Sequence, residues 1–223
     1  GLTKIEKIPF SSREEEQAEN IRKMLEMHNY RIGEHTALEE IKKGKAVKKT
    51  YSELLFDINC LGTALSVLLK GSGHKIALLG QNSIPWVTVY MTVLSGADVI
   101  IPIDDTLPVD DIIDVLEQGE AEAVFYSKAY EEQMREYSQR SAGVKYFISL
   151  DKHENDEQGC FFSYEGLKKK GKALLSVGDK SYIGLGCNTD GVKMILFYEG
   201  QGVMLSQKNT YIPLQLKRDA MII

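Results

Sequence analysis

The stretch Lys75–Ser127, KIALLGQNSIPWVTVYMTVLSGADVIIPIDDTLPVDDIIDVLEQGEAEAVFYS, alternates short apolar runs with longer segments in which apolar residues recur at helical spacing. The apolar runs are Ile76–Leu79, Val99–Ile101 and Ala123–Tyr126, each bounded by glycine, proline or polar residues. The pattern therefore predicts strand, helix, strand, helix and strand in succession. Strands that alternate with helices favour right-handed βαβ units, in which helices cover both faces of a mostly parallel sheet.

Both helices of this stretch begin with residues that are typical of a first helical turn. Pro85 suits that position because its missing N–H would have no partner there, and the side-chain oxygen of Asn82 or Ser83 can cap the turn. Pro108 opens the second helix, and Asp110 follows where a carboxylate suits the positive end of the helix dipole. Such sheets host many chemistries, so this pattern predicts an architecture and leaves the function open.

Length and composition narrow the class of protein. The chain has 223 residues, of which 43% are hydrophobic, enough for a sizeable core. Its net charge of -5 disfavours a general nucleic-acid or anionic-membrane surface, because both would repel an acidic protein. The three cysteines, Cys60, Cys160 and Cys187, fit neither a disulfide framework nor a zinc site, and no run reads as a secretory leader or membrane span. We therefore expect a cytoplasmic protein with no integral membrane segment.

The whole chain, 1–223, is predicted to form a single α/β domain. Residues 1–32 are interpreted as a lead-in and a helix, 33–50 as a hairpin, 51–209 as the βαβ core and 210–223 as a truncated tail. The last residues of this tail are typical of a strand cut short.

After the central stretch, the pattern predicts further elements of the core. They are a polar helix at Ala129–Ser141, a strand at Val144–Leu150, a helix at Phe162–Leu175, and strands at Val192–Phe197 and Val203–Ser206. Additional strands of this kind would extend the same sheet.

Most residues that could carry chemistry have a simpler structural interpretation. The lysines of 168–172 are expected at the solvated end of a helix, and Cys60 in the core. Asp104 and Asp105 follow a strand end, where catalytic groups often lie, yet a turn or cap role is favoured. The acidic loop 151–159 lacks the glycine and glutamate of a calcium loop. No catalytic residue and no metal ligand is therefore assigned.

Five segments, taken together in order, resemble the adenylate-forming superfamily, and most closely its long-chain fatty acid–CoA ligases. They are Thr50–Leu54, Leu61–Leu65, Gln81–Trp86, Ile101–Asp104 and Gly202–Asn209. The resemblance implies the N-terminal subdomain of an acyl-CoA synthetase-like fold. It also implies ATP, Mg²⁺ and CoA as cofactors of the parent enzyme, which would form an acyl-adenylate from a fatty acid and transfer the acyl group to CoA.

One departure from the family pattern lies where the resemblance places a phosphate loop. Family members carry a loop of the form T-S-G-T-T-G-x-P-K-G, whose hydroxyl and backbone N–H groups cradle the phosphates of ATP. Here only five residues stand between Phe197 and Val203, and they are the candidate cofactor-binding residues: Tyr198, Glu199, Gly200, Gln201 and Gly202. Either the protein has lost this loop or a stretch is missing from the sequence, and the preserved flanks favour the second explanation.

Three hypotheses about function follow. The first is an N-terminal fragment of an acyl-CoA ligase, inactive alone, whose parent uses fatty acid and ATP and whose partner is the remaining C-terminal portion of the enzyme. The second is a non-catalytic nucleotide-binding or regulatory module on the same scaffold. The third, an unrelated dinucleotide-binding domain, has little support because Gly80 follows its strand without the further glycines of G-x-G-x-x-G.

Overall fold

The computed structural model describes residues 20–151, 159–185 and 191–206, and these contain two sheets with helices around the larger one. In chain order the elements are α1 (Ile21–Ile32), β1 (Thr36–Lys42), β2 (Lys45–Thr50), α2 (Tyr51–Leu69), β3 (Lys75–Leu79), α3 (Ile84–Ser95), β4 (Val99–Ile103), α4 (Val109–Gln118), β5 (Ala123–Tyr126), a 3₁₀ turn (Lys128–Tyr130), α5 (Glu131–Ser138), β6 (Tyr146–Ser149), β7 (Phe161–Ser163), α6 (Tyr164–Ser176), β8 (Val192–Tyr198) and β9 (Gln201–Ser206).

The larger sheet has seven described strands in the order β7-β6-β5-β3-β4-β8-β9. All neighbours from β7 to β8 pair in parallel, and β9 alone runs antiparallel to its neighbour β8. The smaller sheet is the antiparallel pair β1–β2. The predicted fold class, a mostly parallel sheet with helices on both faces, is therefore confirmed.

The core lies on both faces of this sheet, because its central strands carry apolar side chains on both sides. Ile76 and Leu78 of β3 point into a cluster with α1, α2, α3 and α6. Ala77 and Leu79 of the same strand point into a second cluster with α4 and α5. A strand that is buried on both faces reads as a continuous apolar run, which explains the shape of the KIALL segment.

Helix α2 begins with a capping motif that can be recognised directly in the sequence. The Thr50 side chain accepts a hydrogen bond from the Glu53 backbone N–H, and the Glu53 carboxylate accepts one from the Thr50 N–H, so both halves of a capping box are present. By length and composition α2 could cross a membrane. Most of it is buried against α3, α6 and the sheet, as expected of a core helix.

Two predicted helices differ from those observed. The segment predicted as one helix from Phe162 begins as the short strand β7, and α6 starts only at Tyr164, where Ser163 caps it by accepting from the Gly166 N–H. Strand β7 has three residues, too few for period-2 alternation to be recognised. The polar helix predicted at Ala129–Ser141 is shorter, because a 3₁₀ turn takes up its first residues.

One charged group is also placed differently from the prediction. Lys168 does not lie at a solvated helix end: its Nζ lies 3.3 Å from Asp57 Oδ2 in α2, and its side chain is only 14% exposed. Lys169 and Lys170 are exposed, as expected. Asp57 and Lys168 are far apart in sequence, so no local sequence pattern indicates that their side chains form an ion pair.

Several predictions concern residues outside the described part. They include the lead-in at the start of 1–32, the cysteine at 187, the end of the βαβ core at 207–209 and the tail 210–223. The division of 1–223 into one domain with these internal boundaries stays a prediction.

Candidate nucleotide site at the carboxyl edge of the sheet

The parallel strands end together at one edge of the sheet. The connections that follow β3, β4, β5, β6 and β8 therefore lie side by side at this carboxyl edge. In open α/β sheets, ligands bind in the crevice outside the carboxyl ends of the strands. The edge is accordingly the place where a nucleotide would be expected.

The turn after β4 is closed by its own side chains. Asp104 Oδ1 accepts hydrogen bonds from the Thr106 backbone N–H at 2.9 Å and from Thr106 Oγ1 at 2.7 Å. These two bonds lower the pKa of the exposed Asp104 carboxyl. Tyr130 donates its hydroxyl to the Asp105 carbonyl at 2.8 Å, which ties this turn to the one after β5. The favoured turn role of Asp104 is confirmed.

The turns after β3 and β5 approach each other closely. Gly80 has φ +146, and a Cβ atom there would lie 2.8 Å from the Ser127 Cβ, so only glycine fits without displacement. Next to Ser127, the backbone N–H of Lys128 donates to Asp151 Oδ2 at 2.6 Å. This glycine therefore serves close packing between neighbouring strands.

The five candidate cofactor-binding residues come together in one tight turn at the end of β8. Tyr198 pairs with Gln201 across the β8–β9 ladder, and Glu199 and Gly200 form the two-residue connection with φ values of 48 and 76. Positive φ at both central residues is typical of the type I′ hairpin turn, which matches the twist of the strands. All five residues are exposed. Their role in binding a nucleotide stays a prediction.

The donor groups of this turn do not fit the triphosphate of ATP. A phosphate cradle needs several convergent N–H groups and hydroxyls, usually with a cation, whereas this turn offers a short hairpin and the carboxylate of Glu199. Within 20–151, 159–185 and 191–206, no group of three acidic, histidine or cysteine residues is placed to hold a metal ion.

A buried polar cluster lies at the opposite, amino edge of the sheet, and sequence reasoning missed it. Lys193 of β8 is 2% exposed, and its Nζ donates to the carbonyl oxygens of Gly96 and of Asp98, the latter at 3.1 Å. Asp98 Oδ1 accepts from the His74 backbone N–H at 3.0 Å, and His74 Nδ1 lies 3.0 Å from Glu122 Oε2. One feature of the sequence could have indicated this cluster, namely the lysine at position 193 within an otherwise apolar strand.

Burial shifts the pKa of one carboxyl group in this cluster. It raises the pKa of the half-buried Asp98 carboxyl above its ordinary value, although the backbone N–H groups of Gly73 and His74 and the side chains of His74 and Lys193 oppose the shift. The cluster ties the ends of α3, β3, β4, β5 and β8 together. It lies at the amino edge of the sheet, and we assign it a structural role.

Comparison with known proteins identifies the family. The family model for AMP-binding enzymes matches residues 25–180. A search of curated protein sequences finds no match.

Solved structures share the fold at low sequence identity. One is a protein provisionally assigned as a long-chain-fatty-acid CoA ligase from Rhodopseudomonas palustris CGA009, with a TM-score of 0.71 and 19% identity, covering 92% of this chain and 48% of that chain. A second is the coronafacic acid ligase from Pectobacterium brasiliense, with a TM-score of 0.73 and 17% identity, covering 90% and 37%. A third is the anthranilate CoA ligase AuaEII in complex with anthranoyl-AMP, with a TM-score of 0.70 and 14% identity, covering 88% and 36%.

The chain spans less than half of the length of each of these three structures. Its sheet and helices correspond to the N-terminal subdomain of acyl-CoA synthetase-like structures. The resemblance read from the five sequence segments is thus confirmed. The chain belongs to the AMP-binding enzyme family, and its fold is that of the N-terminal portion of adenylate-forming enzymes.

Proposed function

We propose that this chain is part of an acyl-CoA ligase that activates a long-chain fatty acid with ATP and transfers the acyl group to CoA. Membership of the AMP-binding family and a fold shared with CoA ligases of different acids support the ligase class. The long-chain substrate rests on the sequence resemblance alone. The proposal includes a cytoplasmic location, Mg²⁺ as the ion that accompanies ATP, and the C-terminal portion of the enzyme as partner.

The chain by itself is proposed to be inactive, and the observation that carries this is the two-residue turn between β8 and β9. The turn stands where the resemblance expects the phosphate loop, and it closes an antiparallel ladder whose register is regular from Met194–Leu205 to Tyr198–Gln201. Stabilising the charge that builds on transferred phosphates needs preorganised donors. A hairpin of this length does not supply them.

A coupled pyrophosphate assay tests the inactivity. The purified chain is incubated with ATP, Mg²⁺, CoA and fatty acids of short, medium and long chain, with an active acyl-CoA ligase as positive control. We expect no pyrophosphate above the enzyme-free background. Turnover that grows with chain concentration would contradict the proposal.

An insertion variant tests the cause of this inactivity. Replacing the five residues between Phe197 and Val203 with the family's Ser/Thr/Gly-rich loop and its lysine restores the missing phosphate donors. We expect the variant to bind ATP measurably more tightly than the parent chain in isothermal titration. An intact-mass measurement of the native protein shows independently whether that stretch is present.

A second candidate function is a non-catalytic nucleotide-binding or regulatory module, which the short turn between β8 and β9 favours. In that case AMP, which carries a single phosphate, binds at the turn without any pyrophosphate release, and distortion of the turn weakens binding. Gly200→Val introduces a β-branched residue at φ 76, and Gly44→Val does the same at φ 77 in the β1–β2 turn. Both glycines have open space around them, so the second variant is a matched control.

The outcome separates the two candidates. Nucleotide binding that Gly200→Val weakens and Gly44→Val leaves unchanged supports the binding module. Equal affinity in both variants places the nucleotide elsewhere, and no binding in any variant leaves the inactive ligase fragment as the conclusion.

A further inference from the structure

The outer half of the β1–β2 hairpin is exposed and positively charged. Residues 41–48, with the sequence IKKGKAVK, are all exposed. Lys43 and Gly44 form the turn of the hairpin, with φ values of 50 and 77. The eight residues carry four lysines and no acidic residue. A cluster of charges of one sign on a projecting turn fits a partner of the opposite charge.

Two of the four lysines are only partly engaged, and the other two are at the turn. The engaged lysines form ion pairs with glutamates of β1, namely Lys42–Glu40 at 3.5 Å and Lys48–Glu39 at 3.3 Å. Within the described part of the chain, Lys43 and Lys45 form no ion pair. The charge of these two side chains is therefore available to a partner outside the chain.

The charge of the hairpin is opposite to that of the remaining chain. Residues 36–50 carry five lysines and two glutamates, a net charge of +3, so the other residues carry -8 of the total of -5. Glu40 holds β1 against the body, because its carboxylate accepts the Ile84 N–H at 3.1 Å. Lys43 stands three residues further, about 10 Å along a strand. This exceeds the screening length of about 8 Å at physiological ionic strength, so repulsion from the acidic body is weak at the turn.

Two exposed apolar side chains lie among these lysines. Ile41 is 51% exposed and Val47 is 38% exposed. Ile41 pairs with Ala46, and Val47 pairs with Glu40 in the adjacent rung, so the two apolar side chains lie on opposite faces of the ribbon. Lysines alone would protect the edges of a two-stranded ribbon, whereas apolar side chains beside them favour association. A partner that receives the turn first would bury both apolar side chains.

We propose that the β1–β2 hairpin docks this protein onto the surface of an anionic phospholipid bilayer. Lys43 and Lys45 contact the negative headgroups, and Ile41 and Val47 enter the interface, where peripheral segments are buried by about 5–10 Å. A single-stranded nucleic acid fits less well, because proteins that bind it stack the bases on aromatic side chains, and residues 41–48 contain none. The proposal goes beyond the ligase function and does not depend on it.

Co-sedimentation of the full chain with lipid vesicles tests the role of the lysines. Vesicles of phosphatidylcholine alone are compared with vesicles in which a third of the lipid is phosphatidylserine. We expect the parent chain to bind the anionic vesicles, more weakly at high salt, and to leave the neutral vesicles unbound. Lys43→Gln/Lys45→Gln is expected to bind about 20-fold more weakly, since a lysine near such a surface contributes about fivefold.

Matched variants control for charge and for apolar surface. Lys169→Gln/Lys170→Gln removes the same charge from exposed positions of α6 and is expected to bind like the parent. Ile41→Ser/Val47→Ser is expected to weaken binding about tenfold, because it removes apolar surface that enters the interface. Its control replaces two apolar residues elsewhere that are 40% and 81% exposed, Val67→Ser/Val177→Ser, and is expected to leave binding unchanged.

Four results would overturn the proposal, each obtained with variants that circular dichroism shows to be folded. The parent chain may leave anionic vesicles unbound. The two lysine variants may lose binding equally, in which case net charge and not the hairpin controls it. Ile41→Ser/Val47→Ser may bind as tightly as the parent, in which case nothing enters the interface. Finally, the parent may bind a single-stranded RNA oligonucleotide in preference to vesicles, which would make a nucleic acid the partner.

Discussion

Gly171 of α6 lies directly against the backbone of α2. A Cβ atom at this position would lie 1.7 Å from the Cys60 carbonyl oxygen and 2.5 Å from its carbon. Neither contact can be relieved by rotating a side chain. The two helices can approach this closely only because residue 171 has no side chain.

Gly171→Ala is therefore expected to force α2 and α6 apart. We expect a loss of about 1–3 kcal/mol or more in the free energy of unfolding, the usual range for overpacking a core. Chemical denaturation measures it. Gly143→Ala is the matched control, because its Cβ would lie 3.6 Å from the Ala121 carbonyl oxygen, an ordinary contact. Equal stability of the two variants would show that the helices adjust freely.

Asp98 gives the stability of the protein a defined pH dependence. Its pKa is raised in the folded state, chiefly by burial, so the folded protein binds a proton more tightly than the unfolded chain. The resulting stabilisation is fully present below the ordinary pKa of 3.8 and is lost as pH rises through the raised value. The groups that face it are the backbone N–H groups of Gly73 and His74 and the side chains of His74 and Lys193.

Asp98→Asn removes this titration and keeps an oxygen that can accept from the His74 N–H. As pH rises from below 3.8 through the raised pKa, we expect the free energy of unfolding of the parent to fall relative to that of Asp98→Asn. Urea denaturation at a series of pH values measures this difference. The titration of the other carboxylates contributes equally to both proteins and therefore cancels. A difference independent of pH would contradict the raised pKa.

Among the secondary-structure elements, helices α2 and α3 are connected by Tyr182. Its ring lies over two glycines, since a Cβ on Gly62 would lie 2.5 Å and one on Gly96 2.8 Å from ring atoms. Its hydroxyl donates to the Thr92 carbonyl at 2.7 Å. That carbonyl belongs to the last turn of α3, where helix carbonyls have no intrahelical partner. The segment around Tyr182 thus fastens α2 to the end of α3.

Tyr182→Phe keeps the ring and removes the hydrogen bond. We expect a loss of about 1 kcal/mol in the free energy of unfolding, because the buried Thr92 carbonyl loses its donor. Tyr30→Phe is the control, since Tyr30 is 91% exposed and its hydroxyl faces water. Thermal or chemical denaturation measures the loss. If the stability of Tyr182→Phe equals that of the parent, a water molecule replaces the hydroxyl as the donor to the Thr92 carbonyl.

Elements with strong local patterns were predictable from sequence, and those defined by distant contacts were not. The capping box of Thr50 and Glu53 and the Ser83 cap of α3 follow from a few neighbouring residues. Strand β7 exists because Phe161 pairs with Phe147, which local spacing does not encode. The strands at Val192–Phe197 and Val203–Ser206 were predicted from sequence, but the type I′ geometry of the turn between them depends on their antiparallel pairing.

At the scale of the whole molecule, the described residues form two apolar clusters that share one sheet. Because β3 contributes to both clusters, neither can lose its packing without exposing the other. We expect a single cooperative thermal transition, in agreement with the predicted single domain. Calorimetry measures it, and equal calorimetric and van't Hoff enthalpies are the expected result. Fluorescence of Trp86 on one face and thiol labelling of Cys160 on the other should report the same midpoint.

The strand order also has a consequence for a chain emerging from the ribosome. β3 lies in the middle of the sheet, and its two neighbours, β4 and β5, are the next strands to be synthesised. One flank can then be completed by β6 and β7, whereas β4 must wait for β8 until α6 has been made. During this interval the nascent protein presents a half-built sheet with one open side, and that side is where a molecular chaperone would be most useful.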